Sequence, residues 1–440
     1  MVKLHIGFDD TDSPKGGCTT YIAAILVKKL SKMGVSFMDY PRLIRLNPNV
    51  PWKTRGNGAL CLQLNCPEKR VSTIKETVID IIESNSELDY NGTDPGIVFV
   101  SGEISKEIAK FTKKAEQSIV TIEEAIKLIK KVNGEAVGFN KGRGIIGGLA
   151  AIGENLEGDH TFEIISYRIR ENRNKPRRLK VLSVKAMNRK SVFTFNNIDS
   201  ETGRILITPR GPDPILCGIR GETPEAVKQA YKTILIDESV ERWMIFRTNQ
   251  GTDAHLRKVS KINEIQTYNP VVVQGLISKE PMVIQGGHVI FSIKDKTGEV
   301  DCAAYKPTGI LCKTAKKLSI GDVIKVYGGV RPFSEHRLTI NLEKILVLEL
   351  AQRTSFVNPS CSKCKKRMKS MGKDQGFRCH KCGFRSSKRG KEQIKEKREL
   401  LVGLYITSPR SQRHLTKPHC RYGKEKIGAP KEMIANWYYP

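Results

Sequence analysis

The sequence predicts a multidomain α+β protein that closes with an OB-fold β-barrel and a zinc ribbon. Three observations carry that prediction. The chain has 440 residues, and at roughly one to two hundred residues per domain this means two to four domains. Its hydrophobic rhythm changes near residues 135 and 271. Two Cys-x2-Cys pairs, Cys361/Cys364 and Cys379/Cys382, stand at ribbon spacing. Hydrophobic residues make up 39% and charged residues 28%, a globular balance rather than a disordered one.

The elements follow in order. Residues 3–8 place Leu4, Ile6 and Phe8 on one face and read as a strand. The strand runs into an acidic, glycine-rich loop, Asp9 to Gly17, and then a helix over 19–33 that stops at Gly34. This layout is common at phosphate sites. A basic loop over 47–58 precedes a strand at 59–65. Thr73 and Glu76 are spaced as a capping box for a helix ending near 84. A strand at 97–100 and helices at 105–116 and 121–131 complete the first region. Residues 133–140 do not read as a strand, and 142–152 read as a glycine-rich helix. Strands at 162–169, 215–219 and 243–247, with a helix opened by Thr223-Pro224-Glu225, give an α+β sandwich. Five short β-rich runs between 271 and 350 predict the OB barrel.

Charge narrows the class of partner. Lys and Arg number 75 against 46 Asp and Glu, a net charge of +29. Residues 351–440 alone hold 23 basic and 6 acidic residues. Such an excess calls for a polyanion, and nucleic acid is the obvious one. No stretch approaches the ~18 apolar residues of a membrane helix, and the opening residues meet Asp9 too early for a signal peptide. Seven cysteines outside the two pairs are scattered without a pairing pattern. A cytoplasmic protein with no membrane partner is therefore expected.

The chemistry-bearing motifs each admit a plainer reading. Four thiolates in two knuckles make a closed structural Zn2+ site, Cys361, Cys364, Cys379 and Cys382; redox-active pairs are the alternative. Lys363, Lys365, Lys366, Arg367 and Lys369 crowd the first knuckle and read as a nucleic-acid surface or an ordinary solvated face. Asp9, Asp10 and Asp12 put three carboxylates in four residues, costly without a cation. Mg2+ fits them, with Lys15, Gly16 and Gly17 near phosphates; a solvated turn is the alternative. Thr19 is a hydroxyl beside phosphate or a simple helix cap. Gly142-x-Gly144-x-x-Gly147 lacks the strand and the ribose-binding acid of a dinucleotide fold. There, Lys141 and Arg143 hold a phosphate, or the glycines serve close packing. Trp52 stacks on a base, with Lys53 and Arg55 on phosphates, or it anchors its loop. Asp213 and Asp253 sit in polar turns, near Arg210 in the first case. They pair a cationic substrate or face solvent.

Taken together these stretches resemble the archaeal tRNA 2-agmatinylcytidine synthetase family. The resemblance rests on Asp9-Asp10-Thr11-Asp12-Ser13, Cys18-Thr19-Thr20, Asn47-Pro48-Asn49-Val50-Pro51-Trp52-Lys53-Thr54-Arg55-Gly56-Asn57-Gly58, Lys141-Gly142-Arg143-Gly144, Gly211-Pro212-Asp213-Pro214 and Arg247-Thr248-Asn249-Gln250-Gly251-Thr252-Asp253. It covers the chain up to about residue 390, and the basic tail beyond matches nothing. The resemblance implies a kinase-like α/β ATP-binding domain at 1–130, a ferredoxin-like domain at 131–262, an OB-fold tRNA-binding domain at 263–352 and a zinc ribbon at 353–390, with the tail at 391–440.

The resemblance also implies a reaction. Such a ligase forms a C–N bond between agmatine and C2 of the wobble cytidine in the CAU-anticodon isoleucine tRNA. It uses ATP, converts it to AMP and phosphates, and passes through a phosphorylated cytidine. The modified tRNA then reads AUA. Asp9, Asp10, Asp12 and Thr19 are implied as catalytic, Thr19 as a threonine that becomes phosphorylated. Gly7, Lys15, Gly16, Gly17, Lys141 and Arg143 are implied for the nucleotide, with Mg2+. Trp52, Lys53, Arg55, Arg210, Asp213 and Asp253 are implied for the tRNA and agmatine. Two rivals stand: a non-catalytic single-strand-binding protein, which has no use for the three-aspartate loop, and another ATP-dependent tRNA-modifying enzyme, which would not carry both the Trp52 and Asp253 loops.

Overall fold

The computed structural model describes residues 1–53, 56–259, 261–334, 337–387, 390–428 and 432–440. The expected first strand is Val2–Asp9, and it lies inside an eleven-stranded sheet. Along the main path the order is Glu135–Gly138, Gly96–Ser101, Val2–Asp9, Gly58–Cys66, Arg42–Arg45, Val240–Thr248, Thr161–Arg168, Ile215–Gly221 and Thr194–Phe195. The first five strands belong to the N-terminal region and the last four to the middle region. A parallel pairing that sets Arg247 opposite Arg42 welds the two into one sheet. The last four strands, with helices Val181–Lys190 and Pro224–Thr233, run strand–helix–strand–strand–helix–strand. The last of these strands lies beside the first, followed by the third and the second. That is the ferredoxin-like arrangement.

Alternation along Val2–Asp9 decides what faces the site. Leu4, Ile6 and Phe8 pack with Ile22, Leu26, Ile74 and Val78 of helices Thr19–Ser31 and Val71–Asn85. Gly7 and Asp9 therefore point to the opposite side, where helix Gly144–Gly153 lies. That helix sits almost on the strand backbone. A Cβ on Gly7 would lie 2.0 Å from the Gly148 carbonyl oxygen, and one on Gly96 1.9 Å from the Ile145 nitrogen. The glycine-rich stretch thus serves close helix-on-sheet packing. Gly7, expected at the nucleotide, is covered by this helix.

Two local expectations are corrected. Residues 135–138 do form a strand, paired antiparallel to Gly96–Ser101. It is an edge strand without the parallel crossover of a dinucleotide fold. The Thr73 capping box does not form. A 3-10 turn at Glu68–Arg70 runs straight into the helix, which leaves Thr73 inside it. The Thr223 cap does form, and Ser105 and Thr121 cap their helices in the same way, each accepting a backbone N–H three residues on.

The OB barrel is closed. Its strands Pro270–Val283, Val289–Lys294, Glu299–Ala304, Arg337–Glu349 and Val323–Ser334 pair in that order, and the last pairs back with the first. Helix Ile310–Ala315 packs Leu311 and Ala315 into the barrel core. The ribbon hangs from a two-stranded stalk, Thr354–Val357 with Glu392–Lys395.

Beyond the ribbon the chain is no free tail. Gly403–Ile406 adds to barrel strand Arg337–Glu349. Arg421 is fully buried against Asp159 and Glu222. Trp437 stacks edge-on against Phe37 and Tyr40, and Tyr438–Tyr439 pairs with Trp243 and Met244. The basic residues there are struts as much as surface. A guanidinium this deep is tolerated only with its carboxylates in place.

Candidate active site

The acidic loop leaves the sheet at Asp9. Its backbone turns sharply at Asp10, whose φ of 61 is left-handed, a conformation that non-glycine residues hold mainly where the surroundings enforce it. The turn sends neighbouring carboxylates different ways. Asp10 Oδ2 accepts two hydrogen bonds from Arg143, at 2.7 and 3.0 Å, and one from the Asp94 N–H. Asp9 Oδ1 accepts the Asp10 N–H at 2.7 Å, while Oδ2 overhangs Gly147, where a Cβ would fall 2.0 Å away. Asp12 is buried.

Two cavities meet at Asp9. A cleft is lined by Asp9, Asp10, Trp52, Lys53, Arg143 and Gly144. A larger cavity of about 340 Å³ is lined by Asp9, Asp12, Thr19, Glu163, Asp213 and Arg220, among others. Asp9 and Asn57 line both. Burial, and next the charge of Asp10, push the Asp9 carboxyl up to about 8. A cation beside it would reverse that shift.

Thr19 is the first helical residue, and Cys18 takes the cap position without capping through its side chain. The Thr19 hydroxyl is therefore available to the larger cavity, where it accepts a hydrogen bond from Thr11 at 3.0 Å. Lys15 and Gly16 lie in a tight turn closed by Ser13, outside both cavities. Lys15 lies 5.8 Å above the Tyr90 ring. Lys141 is exposed, and its N–H caps Asp94.

The remaining expected residues divide. Trp52 is half exposed on the cleft beside Lys53, and Arg55 lies outside the described residues. Asp213 lines the larger cavity, and its Oδ1 holds Arg177 at 3.2 Å. Arg210 is exposed beside it and lines neither cavity. Asp253 does not reach the site. Its carboxylate takes the buried Lys344 ammonium of the barrel and the Lys417 N–H at 2.7 Å. It joins domains, which corrects its placement at the substrate.

Sequence reasoning missed one wall of the cavity. Glu163 Oε1 pairs with Arg220 at 3.2 Å. Arg220 Nη2 lies 2.9 Å from His414 Nδ1, which lies 2.8 Å from Gln250 Oε1. Burial and the cations Arg45 and Arg220 hold His414 well below the usual histidine range, so it is neutral. Arg45 comes from strand Arg42–Arg45, fixed through Asn249, which bonds both its N–H and its carbonyl. Asn249 is in turn held by Glu116 at 2.8 Å.

Among the described residues, only the four cysteines bring three or more metal-ligating side chains together. Their sulfurs lie within 4.8 Å of one another, spacing that suits one tetrahedral Zn2+. Peptide N–H groups aim at these thiols, and that of Cys382 draws Cys379 down to about 6. The ribbon core is little more than Met368 and Phe377, too small to stand without a staple. The three aspartates do not converge on one point. Asp9 and Asp12 face the larger cavity while Asp10 is turned to Arg143. This still fits Mg2+, which commonly takes only one or two carboxylates beside phosphates. No helix among the described residues is long and apolar enough to cross a membrane.

Comparison with known proteins agrees with this layout from end to end. Residues 5–141 match the TiaS TCKD domain, 142–255 the TiaS FLD domain, 271–348 an OB-fold nucleic acid binding domain and 358–400 the TiaS C-terminal zinc ribbon domain. The tRNA 2-agmatinylcytidine synthetase TiaS of Pyrococcus horikoshii is 43% identical across 94% of this chain and 96% of its own length. The crystal structure of TiaS in complex with an isoleucine tRNA and ATP is similar with a TM-score of 0.86 and 38% identity, covering 96% of this chain and 98% of that one. That of TiaS with an isoleucine tRNA, AMPCPP and agmatine is similar at 0.84 and 36%, with the same coverage. The chain belongs to the TiaS family of tRNA 2-agmatinylcytidine synthetases.

Proposed function

We propose that this protein attaches agmatine to C2 of the wobble cytidine in the CAU-anticodon isoleucine tRNA, driven by ATP, in the cytoplasm. The observation that carries this reading is the meeting of two cavities at Asp9, one beside Trp52 and one rich in carboxylates. It stands inside an architecture that matches, end to end, a protein solved with an isoleucine tRNA, AMPCPP and agmatine.

The roles follow from the chemistry each side needs. Cytosine O2 is a poor leaving group, and a phosphoryl group makes it leave. Asp9 and Asp12 would hold Mg2+, which neutralises triphosphate charge when bound. Arg143, locked by Asp10, adds a fixed positive charge above the cleft. Thr19 offers its hydroxyl toward the larger cavity and is the candidate phosphoryl acceptor. Agmatine brings a guanidinium and an amine into that cavity. Asp213 or Glu163 receives the guanidinium in forked geometry. The amine nitrogen then bonds to C2, the C2–O2 bond breaks so that O2 leaves as part of the phosphate, and the amine loses its proton. The wobble base must leave its stack to arrive there, and Trp52 is placed to receive a ring.

The test is direct. Purified protein is incubated with ATP, magnesium, agmatine and unmodified CAU-anticodon isoleucine tRNA, and the nucleosides are weighed by mass spectrometry. An ATP-dependent gain of agmatine on cytidine is expected. Tight tRNA binding without that gain would sink the reading.

A further inference from the structure

Beside the two cavities lies a third, of about 450 Å³, where the N-terminal region, the barrel and the stretch of chain beyond the ribbon (the C-terminal strap, residues 401–440) meet. Arg45 and Lys53 from one stretch, Arg331 from a second and Arg413 from a third converge on it, and among the described residues no carboxylate lines it. We infer that this cavity seats a backbone phosphate of the RNA strand, next to the nucleotide whose base enters the larger cavity. The inference rests on the proposed wobble-cytidine reaction for which base enters.

Each cation is placed in a way that solvent-facing surface does not demand. A Cβ on Gly56 would lie 2.7 Å from the Arg45 guanidinium, and one on Gly58 2.6 Å. These two glycines make a cradle in which the guanidinium lies. Among the described residues the buried Arg45 Nε has no hydrogen-bond partner. Arg331, on the barrel, rests over the Tyr268 ring at 5.3 Å. Arg413 donates to the Pro48 carbonyl at 2.9 Å. Its carboxylate neighbour Glu343 is shared with His255 and Thr416. Burial lowers Arg45 to about 10, and burial with mutual repulsion lowers Lys53 and Arg331 too. Glu343 answers Arg413 at 3.3 Å, and the like charges crowded in this half-buried space still outnumber that carboxylate, which favours an anion.

Position identifies the anion as phosphate from RNA. The cavity shares Arg45, Gly56 and His414 with the larger cavity, and Lys53 with the Trp52 cleft. A nucleotide turned out of its stack keeps its phosphates at the rim of its base pocket. Guanidinium forks suit phosphate oxygens. Arg331 comes from the segment that matches nucleic-acid-binding barrels. The triphosphate tail of ATP carries the same chemistry, so the test must separate the two sources.

The experiment compares the full-length protein with Arg331→Ala and Arg331→Lys. Affinity is measured for the tRNA anticodon stem-loop carrying either native linkages or an uncharged methylphosphonate on the 5′ or 3′ side of the wobble cytidine. For the wild type, one neutral linkage should weaken binding roughly tenfold. Arg331→Ala should weaken native RNA to a similar degree, lose little more on that neutral linkage, and lower the salt slope by about 0.7–0.9. Arg331→Lys should fall between. Additive losses, or no effect of either linkage, would overturn the inference. A raised KM for ATP with unchanged RNA affinity would overturn it in favour of the triphosphate. Product formation by the wild type on native RNA is scored separately, so failure of the wobble-cytidine reaction is told apart from failure of the phosphate site.

Discussion

At the scale of single residues, Asp9 carries the most. It stands at the wall between cleft and cavity because the strand alternates and because Gly147 leaves room for its carboxylate. Asp9→Asn keeps the shape and removes the charge. Turnover should fall on the order of a hundred- to a thousandfold, with tRNA affinity nearly intact. Unchanged single-turnover rates would remove Asp9 from the chemistry. Glu116 acts at a distance, by holding Asn249 and through it Arg45. Burial, and next Glu154, push its carboxyl from 4.5 to about 7. A carboxyl raised in the folded state binds protons there that the unfolded chain has released. Stability therefore falls as pH rises from about 4.5 to 7 and levels off above. Glu116→Gln does not titrate, so its Tm should gain on the wild type between pH 5 and pH 8. A constant difference across that range would refute the shift. Asp9, Asp12 and Thr19 were legible in the sequence because they are close in the chain and chemically dense. Glu163, Arg220 and His414 were not, because each is an isolated residue brought in by a different segment.

At the scale of elements, the C-terminal strap and the Asp253 turn belong together. Asp253 answers Lys344, and Lys417 of the strap answers Asp159. A polar turn looks the same in sequence whether its carboxylate awaits a substrate or a buried lysine, which is why Asp253 was misplaced. The strap was illegible for a related reason. It has little periodic structure, and its arginines suggest solvent or nucleic acid, whereas Arg421 has no exposed side-chain surface. Strands with strict periodicity were read within a few residues, and so was the Thr223 cap, whereas the capping-box spacing at Thr73 misled because a preceding turn carries the helix start past it. The edge strand Glu135–Gly138 was not, because only sheet pairing stabilises it. Asp253→Ala strands the Lys344 ammonium, a loss of about 3–5 kcal/mol. Its denaturant midpoint should drop sharply while the KM for agmatine in the folded fraction stays put. A selective rise in that KM with normal stability would return Asp253 to the substrate.

At the scale of the whole molecule, one sheet and the strap docked on it make a base, and the zinc ribbon is attached through a two-stranded stalk. The ribbon's own core could not hold it together, so its fold depends on the metal. Lys363, Lys365, Lys366, Arg367 and Lys369 are clustered on and beside its first knuckle and all five are exposed, although Arg367 is paired with Glu392 at 3.4 Å. Cys364→Ser removes one thiolate from the four, and the ribbon should lose its metal and its hydrogen-exchange protection. The sheet, the strap and the barrel share no side chain with the metal site and should keep theirs. If the ribbon grips RNA through these cations, the salt slope of tRNA binding should flatten by about 0.7–0.9 for each phosphate that is no longer neutralised. Affinity at low salt should fall further than at high salt. Agmatine and ATP binding, which the proposed function assigns to the cavities at Asp9, should be untouched. A metal-free variant with an intact salt slope would leave the ribbon out of tRNA recognition and assign that grip to the barrel and to the cations around Arg331.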